Sequence, residues 1–489
     1  MQQQARLSRS LGVLDGVVIA ASSIAATTSI GIGMGVLAAS VGRQTPAILL
    51  IAFFPIVGIA VAYSRLNRVE PDCGNGYVWV GRTMGPWLGL IAGWIPIAGT
   101  VVFMSYTTAV VGSVLVQLVE KAGVHSVLGW ALDANSTAQC TAVGLVVFAV
   151  VTWIAVTGTA HAAHFQKYLL IFEYVVLLGF CGWGLATGHQ SFSFSWLDPF
   201  AVDSFAGFAQ GLAIAVFFYW GWDSAFSVTE ETHDSRDAAR SGFIALVTML
   251  GLFLLGSIAF QRVMDNGEMV DKGAEGLTYF AAKLAGEPLA TLPLVALMLS
   301  AVSSLQAGII PTARFTLAMG RNRTLGTVWT RVHPRYRTPA AGTVIITAIT
   351  AVIAVLMPAI PKLNEAILAA VNAIGILVAL YYGLASVTCA VRFRGLLRTG
   401  RRAAVGAVGV PAVCGTVLLA LGGYLAVHYA TVSDTFEIDA ANGWFTLAVP
   451  LVILLIGLAV GAVAKWYRRA PDFHGHPTPD PVPTPERSL

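Results

Sequence analysis

Ser22-Ser23-Ile24-Ala25-Ala26-Thr27-Thr28-Ser29 decides how this chain is read. The stretch lies inside an apolar run long enough to cross a bilayer, yet it places hydroxyls at mid-membrane, where polar groups are expensive unless they line a site. A second interruption, Tyr219-Trp220-Gly221-Trp222-Asp223, puts a glycine and a carboxylate in the middle of the sixth apolar run. Paired interruptions in the two halves of a polytopic chain predict a substrate site built from two broken helices.

The composition agrees with a membrane setting. Of 489 residues, 56% are hydrophobic and 11% charged, and the mean hydropathy is +0.74, well outside the soluble range. Apolar runs of about 20 residues centre near Ala25, Pro55, Thr100, Phe148, Val176, Phe217, Leu250, Ser300, Thr350, Val378, Ala420 and Leu454. They predict an all-α membrane protein with twelve transmembrane helices, an even number that returns the chain to its starting side. With the N-terminus cytoplasmic, all but six of the 29 Lys and Arg residues fall on the cytoplasmic side, the exceptions being Arg43, Lys121, Arg262, Lys272, Lys283 and Lys362. This asymmetry predicts a multi-pass plasma-membrane protein with both termini cytoplasmic. It also accounts for the net charge of +4 by topology, without nucleic-acid binding.

Cys73, Cys140, Cys181, Cys389 and Cys414 are scattered, with no CxxC or Cys/His pairing, which argues against a disulfide framework and against a metal site. The first apolar run follows Arg6 and Arg9 but outlasts the roughly 7–15 residues of a signal-peptide core. It reads as a retained first span.

The spans divide into blocks. Residues 1–10 are a cytoplasmic N-terminus, 11–187 a first set of five spans, 204–391 a second set of five, 405–467 spans eleven and twelve, and 468–489 a proline-rich cytoplasmic tail expected to be disordered. Each set of five opens on an interrupted helix, near Asp15 and near Asp203. Because five is odd, the two sets run in opposite orientation, as an inverted repeat requires. Spans eleven and twelve read as lipid-facing or dimer-facing scaffold. Gly31, Gly33 and Gly35, and likewise Gly85, Gly89 and Gly93, read as places where helices pack closely. The connection from about Arg262 to Pro288 contains Gly276-Leu-Thr-Tyr-Phe-Ala-Ala-Lys-Leu284, either a helix lying on the membrane surface or a turn in a polar loop.

Several residues carry possible chemistry. A broken membrane helix leaves backbone groups that need partners, and Ser22, Ser23, Thr27, Thr28 and Ser29 can either supply them or meet a substrate. The start of the outer half-helix, with its free N–H groups and positive dipole end, suits a carboxylate. At the second break, Tyr219, Trp220 and Trp222 surround Gly221, and Asp223 follows; aromatic faces beside a carboxylate can hold an ammonium group. Glu173 lies in the fifth run without a basic residue near it in sequence. It is the candidate for binding and releasing a proton during a transport cycle, the other reading being a tie between helices. Ser303, Ser304 and Gln306 interrupt the eighth run ahead of Pro311, where their oxygens could hold a sodium ion or replace it with hydrogen bonds. Arg65, Arg68, Glu230, Glu231, Asp234 and Arg314 sit at cytoplasmic ends, as gate ion pairs or as a solvated face. No nucleophile elbow, phosphate loop or His/Cys metal cluster points to an enzyme, and no cofactor is expected.

With these residues in place the chain resembles the amino acid, polyamine and organocation permeases, over nearly all of Leu11 to Arg394. The most specific match is Ala318-Met-Gly-Arg-Asn-Arg-Thr-Leu-Gly326 followed by Val332-His-Pro-Arg-Tyr-Arg-Thr-Pro339, similar to the family's cytoplasmic signature after span eight. The family's Phe-x-Gly-Phe-Glu pattern in span six is similar to Tyr219-Trp220-Gly221-Trp222-Asp223. Its Gly-Ser/Thr-Gly break in span one corresponds to Thr27-Thr28-Ser29 or, in a shifted register, to Gly31-Ile32-Gly33. The resemblance implies a leucine-transporter-type 5+5 inverted repeat plus two helices. It also implies substrate at mid-membrane among Ser23, Thr27, Thr28, Ser29, Tyr219, Trp220, Gly221 and Asp223; Glu173, Ser303 and Ser304 stay the coupling candidates on the reading of the residues themselves.

The chain departs from the family pattern in three places. Glu173 stands where some proton-coupled members carry a lysine, Gly308 stands where the arginine/agmatine antiporter has a stacking tryptophan, and hydroxyls replace the glycines of span one. The expected function is secondary transport of an amino acid or related amine by alternating access, coupled to protons or by exchange, with sodium as the other coupling ion. A polyamine or organocation carrier is the main alternative, ahead of a channel or a non-transporting sensor.

Overall fold

The computed structural model describes residues 7, 9–127, 129–134, 136–356, 363–398, 400–431 and 443–474. The expectations for most of the first ten residues, for Lys362 and for the tail beyond His474 lie outside the described residues.

Long apolar segments with few internal turn residues form the helices. In chain order these are α1 (Val13–Ile24), α2 (Ala26–Val41), α3 (Thr45–Val69), α4 (Gly76–Met84), α5 (Pro86–Lys121), α6 (Thr137–Thr157), α7 (Thr159–Thr187), α8 (Phe205–Phe218) and α9 (Ser224–Ser227). There follow α10 (Ser235–Val263), α11 (Asn266–Lys272), α12 (Gly276–Ala285), α13 (Glu287–Arg321), α14 (Ala340–Leu356), α15 (Leu363–Arg392), α16 (Arg401–Ala404), α17 (Val410–Thr431) and α18 (Gly443–Ala462). Among the described residues, nine helical stretches are long and apolar enough to cross a membrane, the first running from Val13 to Val69. Two shorter apolar helices, α8 and α14, join them. The protein is a multi-span helical membrane protein. The β structure among the described residues is a short antiparallel ladder between α5 and α6, β1 (Ser126–Val127) with β2 (Trp130–Ala131), and an isolated parallel bridge between Leu11 and Thr232.

Both interruptions are real breaks, and the first falls earlier than either expected register. Ala25 takes the left-handed conformation at φ 52° and ψ 62°, an arrangement that costs a non-glycine residue about 1–2 kcal/mol. Its N–H bonds the Ala21 carbonyl at 3.1 Å, closing α1, and the Ser29 hydroxyl donates to the Ile24 carbonyl at 3.1 Å. Thr27-Thr28-Ser29 therefore forms the opening turn of α2. The second break, Tyr219 to Asp223, falls where the sequence places it, with Gly221 at φ 113°.

The core lies where α1, α2, α8 and α13 meet α3, α5, α7, α10 and α15. Helices α17 and α18 pack on α15 and expose Val413, Val427, Val452 and Leu455 outward, a surface that suits lipid. Close packing through small residues holds at Gly89, where an added Cβ would sit 2.4 Å from the Gly81 Cα. Gly85 does not serve that purpose: at φ 107° with open space around it, it makes the turn between α4 and α5. The piece from Gly276 is a helix, α12, but it packs Leu277, Phe280 and Ala281 into the bundle.

The tail is ordered for its first residues, contrary to the expectation for 468–489. The Arg468 guanidinium donates to the Thr324 carbonyl at 2.8 Å, the Tyr77 hydroxyl donates to Asp472 at 3.1 Å, and the Phe473 ring meets Trp87 edge-on at 5.2 Å. A basic head, a carboxylate and a ring give this segment its partners in the bundle.

Candidate functional site

Three helix ends converge at the breaks. The C-terminus of α1 and that of α8 present a negative dipole end; the N-terminus of α2 presents the N–H groups of Ala26, Thr27 and Thr28 and a positive end. The breaks touch directly. The Ser23 hydroxyl bonds the Ser224 hydroxyl at 2.8 Å and the Ala307 carbonyl of α13 at 3.3 Å.

A cavity, part of it open to solvent, lies at this junction. Of the sequence-predicted residues, Ser23, Thr28, Ser29, Trp220, Gly221, Asp223 and Ser304 line it. Thr27, Tyr219, Glu173 and Ser303 do not. Tyr219 is fully buried and donates its hydroxyl to the Leu49 carbonyl at 3.1 Å, so it anchors the second break to α3.

Thr27 turns the other way, to a second polar group. Glu173, 1% exposed, sits beside the hydroxyls of Thr27 and Ser300. Glu173 Oε2, Thr27 Oγ1 and Ser300 Oγ lack hydrogen bonds of ordinary geometry. Buried polar atoms of this kind call for a proton, an ion or water to satisfy them. Ser303 Oγ is likewise buried and unbonded, while its carbonyl accepts from Gln166 Nε2 at 3.2 Å. Ser304 bonds back to the Ala301 carbonyl at 2.8 Å.

Asp223 is already engaged. Its two carboxylate oxygens accept hydrogen bonds from the Tyr382 hydroxyl at 2.8 Å and the Tyr381 hydroxyl at 2.9 Å, both on α15 and both fully buried. Asp223, expected beside a substrate ammonium, lines the cavity and also ties the second break to α15. Sequence reasoning missed these tyrosines, and also Ser300, Phe103 and Tyr106. The last two border the cavity and form with Trp220 an aromatic wall, Phe103 lying 5.4 Å from Tyr106 and 6.3 Å from Trp220, both edge-on.

One end of the bundle is closed by ion pairs. Arg314 Nη2 and Glu231 lie 2.6 Å apart with side chains 3% and 4% exposed, and Arg321 binds both Glu230 oxygens, at 2.9 and 3.1 Å. Asp234 instead caps α10, accepting from the Arg236 N–H at 2.9 Å. Asp72, Cys73 and Glu230 bring ligand-type atoms within 4.8 Å of one another, but the Arg321 guanidinium occupies the Glu230 carboxylate. At the opposite end, α11 and α12 are tied by Glu268, which accepts from Lys283 at 2.6 Å and from Tyr279 at 2.9 Å. The hydrogen bonds from Lys283, with smaller help from the Asp265 N–H and Tyr279, hold Glu268 below the usual glutamate range.

Comparison with known proteins gives the family. The family model described as "Amino acid permease" matches residues 11–458, and the chain belongs to that family. It is 24% identical over 334 residues to the low-affinity putrescine importer PlaP of Escherichia coli (strain K12), covering 64% of this chain and 68% of the relative. It is 23% identical over 346 residues to the methylthioribose transporter of Bacillus subtilis (strain 168), covering 69% and 72%. It is 23% identical over 365 residues to the branched-chain amino acid permease BcaP of the same organism, covering 72% and 76%. The protein is a membrane transporter of this family, and not an enzyme.

Proposed function

We propose that the protein is a secondary transporter of an amino acid or related amine, working by alternating access across the plasma membrane with both termini cytoplasmic. The observation that carries this reading is the meeting of one positive and two negative helix ends at the cavity. A substrate carboxylate takes the N–H groups at the start of α2, and its ammonium takes the carbonyls that end α1 and α8. In this reading the chain has twelve spans in a 5+5 inverted repeat, with this junction at mid-membrane and the Arg314–Glu231 end facing the cytoplasm.

Glu173 is the coupling group in this reading. It touches Thr27, in the first turn of the helix that receives the carboxylate, and Ser300 on α13, so a change in its protonation is felt where α2 meets α13. Protons are favoured over sodium because a carboxyl with two hydroxyl neighbours holds a proton without further ligands. A carrier for polyamines is the second reading, favoured by the likeness to the putrescine importer. Saturable uptake of a labelled amino acid or amine into proteoliposomes tests the proposal, and flux that stays linear with concentration would reject it in favour of a channel.

A further inference from the structure

Resting on that transport reading, we infer that the substrate is a zwitterionic amino acid with a large apolar side chain, branched or aromatic, and neither a polyamine nor an amino acid with a charged side chain. The charged and helix-end groups of the cavity are at the breaks, and the other polar lining groups, Thr100, Tyr106, Ser304 and Thr312, are uncharged hydroxyls. Between these the lining is apolar: Ile32 and Val36 from α2, Phe103 from α5, Phe217 and Trp220 from α8 and its break, and Phe315 from α13. Phe103, Phe217 and Trp220 keep partial exposure in otherwise buried surroundings, so their faces are open to the cavity.

Charge decides the class. Among the described lining residues there is no Lys, Arg, His or Glu, so a side-chain carboxylate would enter the cavity without a cation to meet it. Asp223 is the one acid among those residues, and both of its oxygens are held by Tyr381 and Tyr382. The one carboxylate a lysine or diamine could meet is Asp223, which is 5% exposed and sits at the second break beside the helix ends that take the first ammonium, so a second ammonium reaching along the apolar lining meets no ion there. Attraction to the aromatic faces does not offset the desolvation of that uncompensated charge. An apolar side chain has no such penalty and gains from every face it covers. Gly308 keeps the far wall thin, since a Cβ there would lie 3.0 Å from the Thr100 Cγ2 and 3.4 Å from the Met104 Cγ.

The test is counterflow of labelled leucine in liposomes holding the full-length protein, challenged with leucine, phenylalanine, alanine, lysine, glutamate and putrescine. Leucine and phenylalanine should compete at concentrations about tenfold or more below alanine, the scale set by a few methylenes in an apolar pocket, and the three charged compounds should not compete. Phe103→Ala and the milder Phe103→Leu should narrow the leucine-to-alanine ratio in that order while each protein keeps a cooperative melt. Competition or uptake of putrescine, lysine or glutamate matching that of leucine overturns this inference and leaves the transport reading standing. A ratio unmoved in both folded variants also overturns it. Saturable counterflow of none of the six compounds removes the transport reading itself, and this inference with it.

Discussion

The Ser23 hydroxyl donates to the Ser224 hydroxyl at 2.8 Å, so the residue two before the first break is bonded to the residue that follows the second. The contact depends on Gly221, whose added Cβ would lie 2.8 Å from the Ser23 carbonyl carbon and whose φ of 113° strains any L side chain. Gly221→Ala should therefore lower stability by more than the roughly 1–2 kcal/mol of the backbone term alone and abolish transport. Gly251→Ala in α10, with nothing within 4 Å, should be neutral or raise stability by up to about 1 kcal/mol. Thermal melts of the two purified variants compare them directly; equal melting temperatures would mean that the breaks do not depend on this approach.

Glu173 is enclosed by Thr27 and Ser300 and lies outside the cavity lining. Glu173→Gln keeps the shape and one hydrogen-bonding oxygen but cannot release a proton. Uptake driven by an imposed pH gradient should fall to background, and counterflow, which needs no net proton movement, should persist. Full proton dependence in the variant would remove Glu173 from the coupling step, while loss of both activities would assign it a structural tie between α2, α7 and α13.

The broken helices were legible because a polar cluster inside an apolar run is costly in a bilayer unless it lines a site or a break. Their finer geometry was not. Successive residues on a helix point about 100° apart, so Thr28 reaches the cavity while Thr27 turns to Glu173, and a register uncertain by one residue exchanges the two roles. The break at Ala25 gave no signal, since an alanine in the left-handed region looks like any alanine in the sequence. The partners of Asp223 were hidden for a different reason: Tyr381 and Tyr382 lie on α15, 158 and 159 residues away along the chain, and only the folded bundle brings them to the second break.

The α11–α12 connection carries a prediction about pH. Lys283 holds Glu268 below its ordinary value, so this carboxylate contributes to local stability above the unfolded value of about 4.3 and loses that contribution as the pH falls through its lower folded value. Amide exchange across 265–285, corrected for the intrinsic pH dependence, should lose protection below about pH 4. In Lys283→Met the protection should already be reduced at neutral pH and vary less on acidification. A wild-type profile that stays flat to about pH 3, well below the ordinary glutamate value, would mean that the pair does not hold the two helices together.

The Arg314–Glu231 pair closes the end of the bundle assigned to the cytoplasm, and both side chains are almost wholly buried. Arg314 also donates to the Ile310 carbonyl at 2.7 Å, so the guanidinium stays in place when its acid is altered. Removing one partner of a buried pair typically costs about 3–5 kcal/mol, because a charge is left without compensation. Glu231→Gln should therefore weaken this closed end and shift the protein toward forms in which it opens. Cys73 reports on that opening: its thiol is fully buried and lies 3.7 Å from the Arg314 carbonyl and 3.8 Å from Arg321 Nη1. In Glu231→Gln the rate of maleimide labelling at Cys73 should rise several-fold, with Cys73→Ala as the background, and the double exchange of Glu231→Arg with Arg314→Glu should bring it part of the way back. An unchanged rate in a variant that still melts cooperatively would show that this end is held by packing, with the ion pair contributing nothing to the gate.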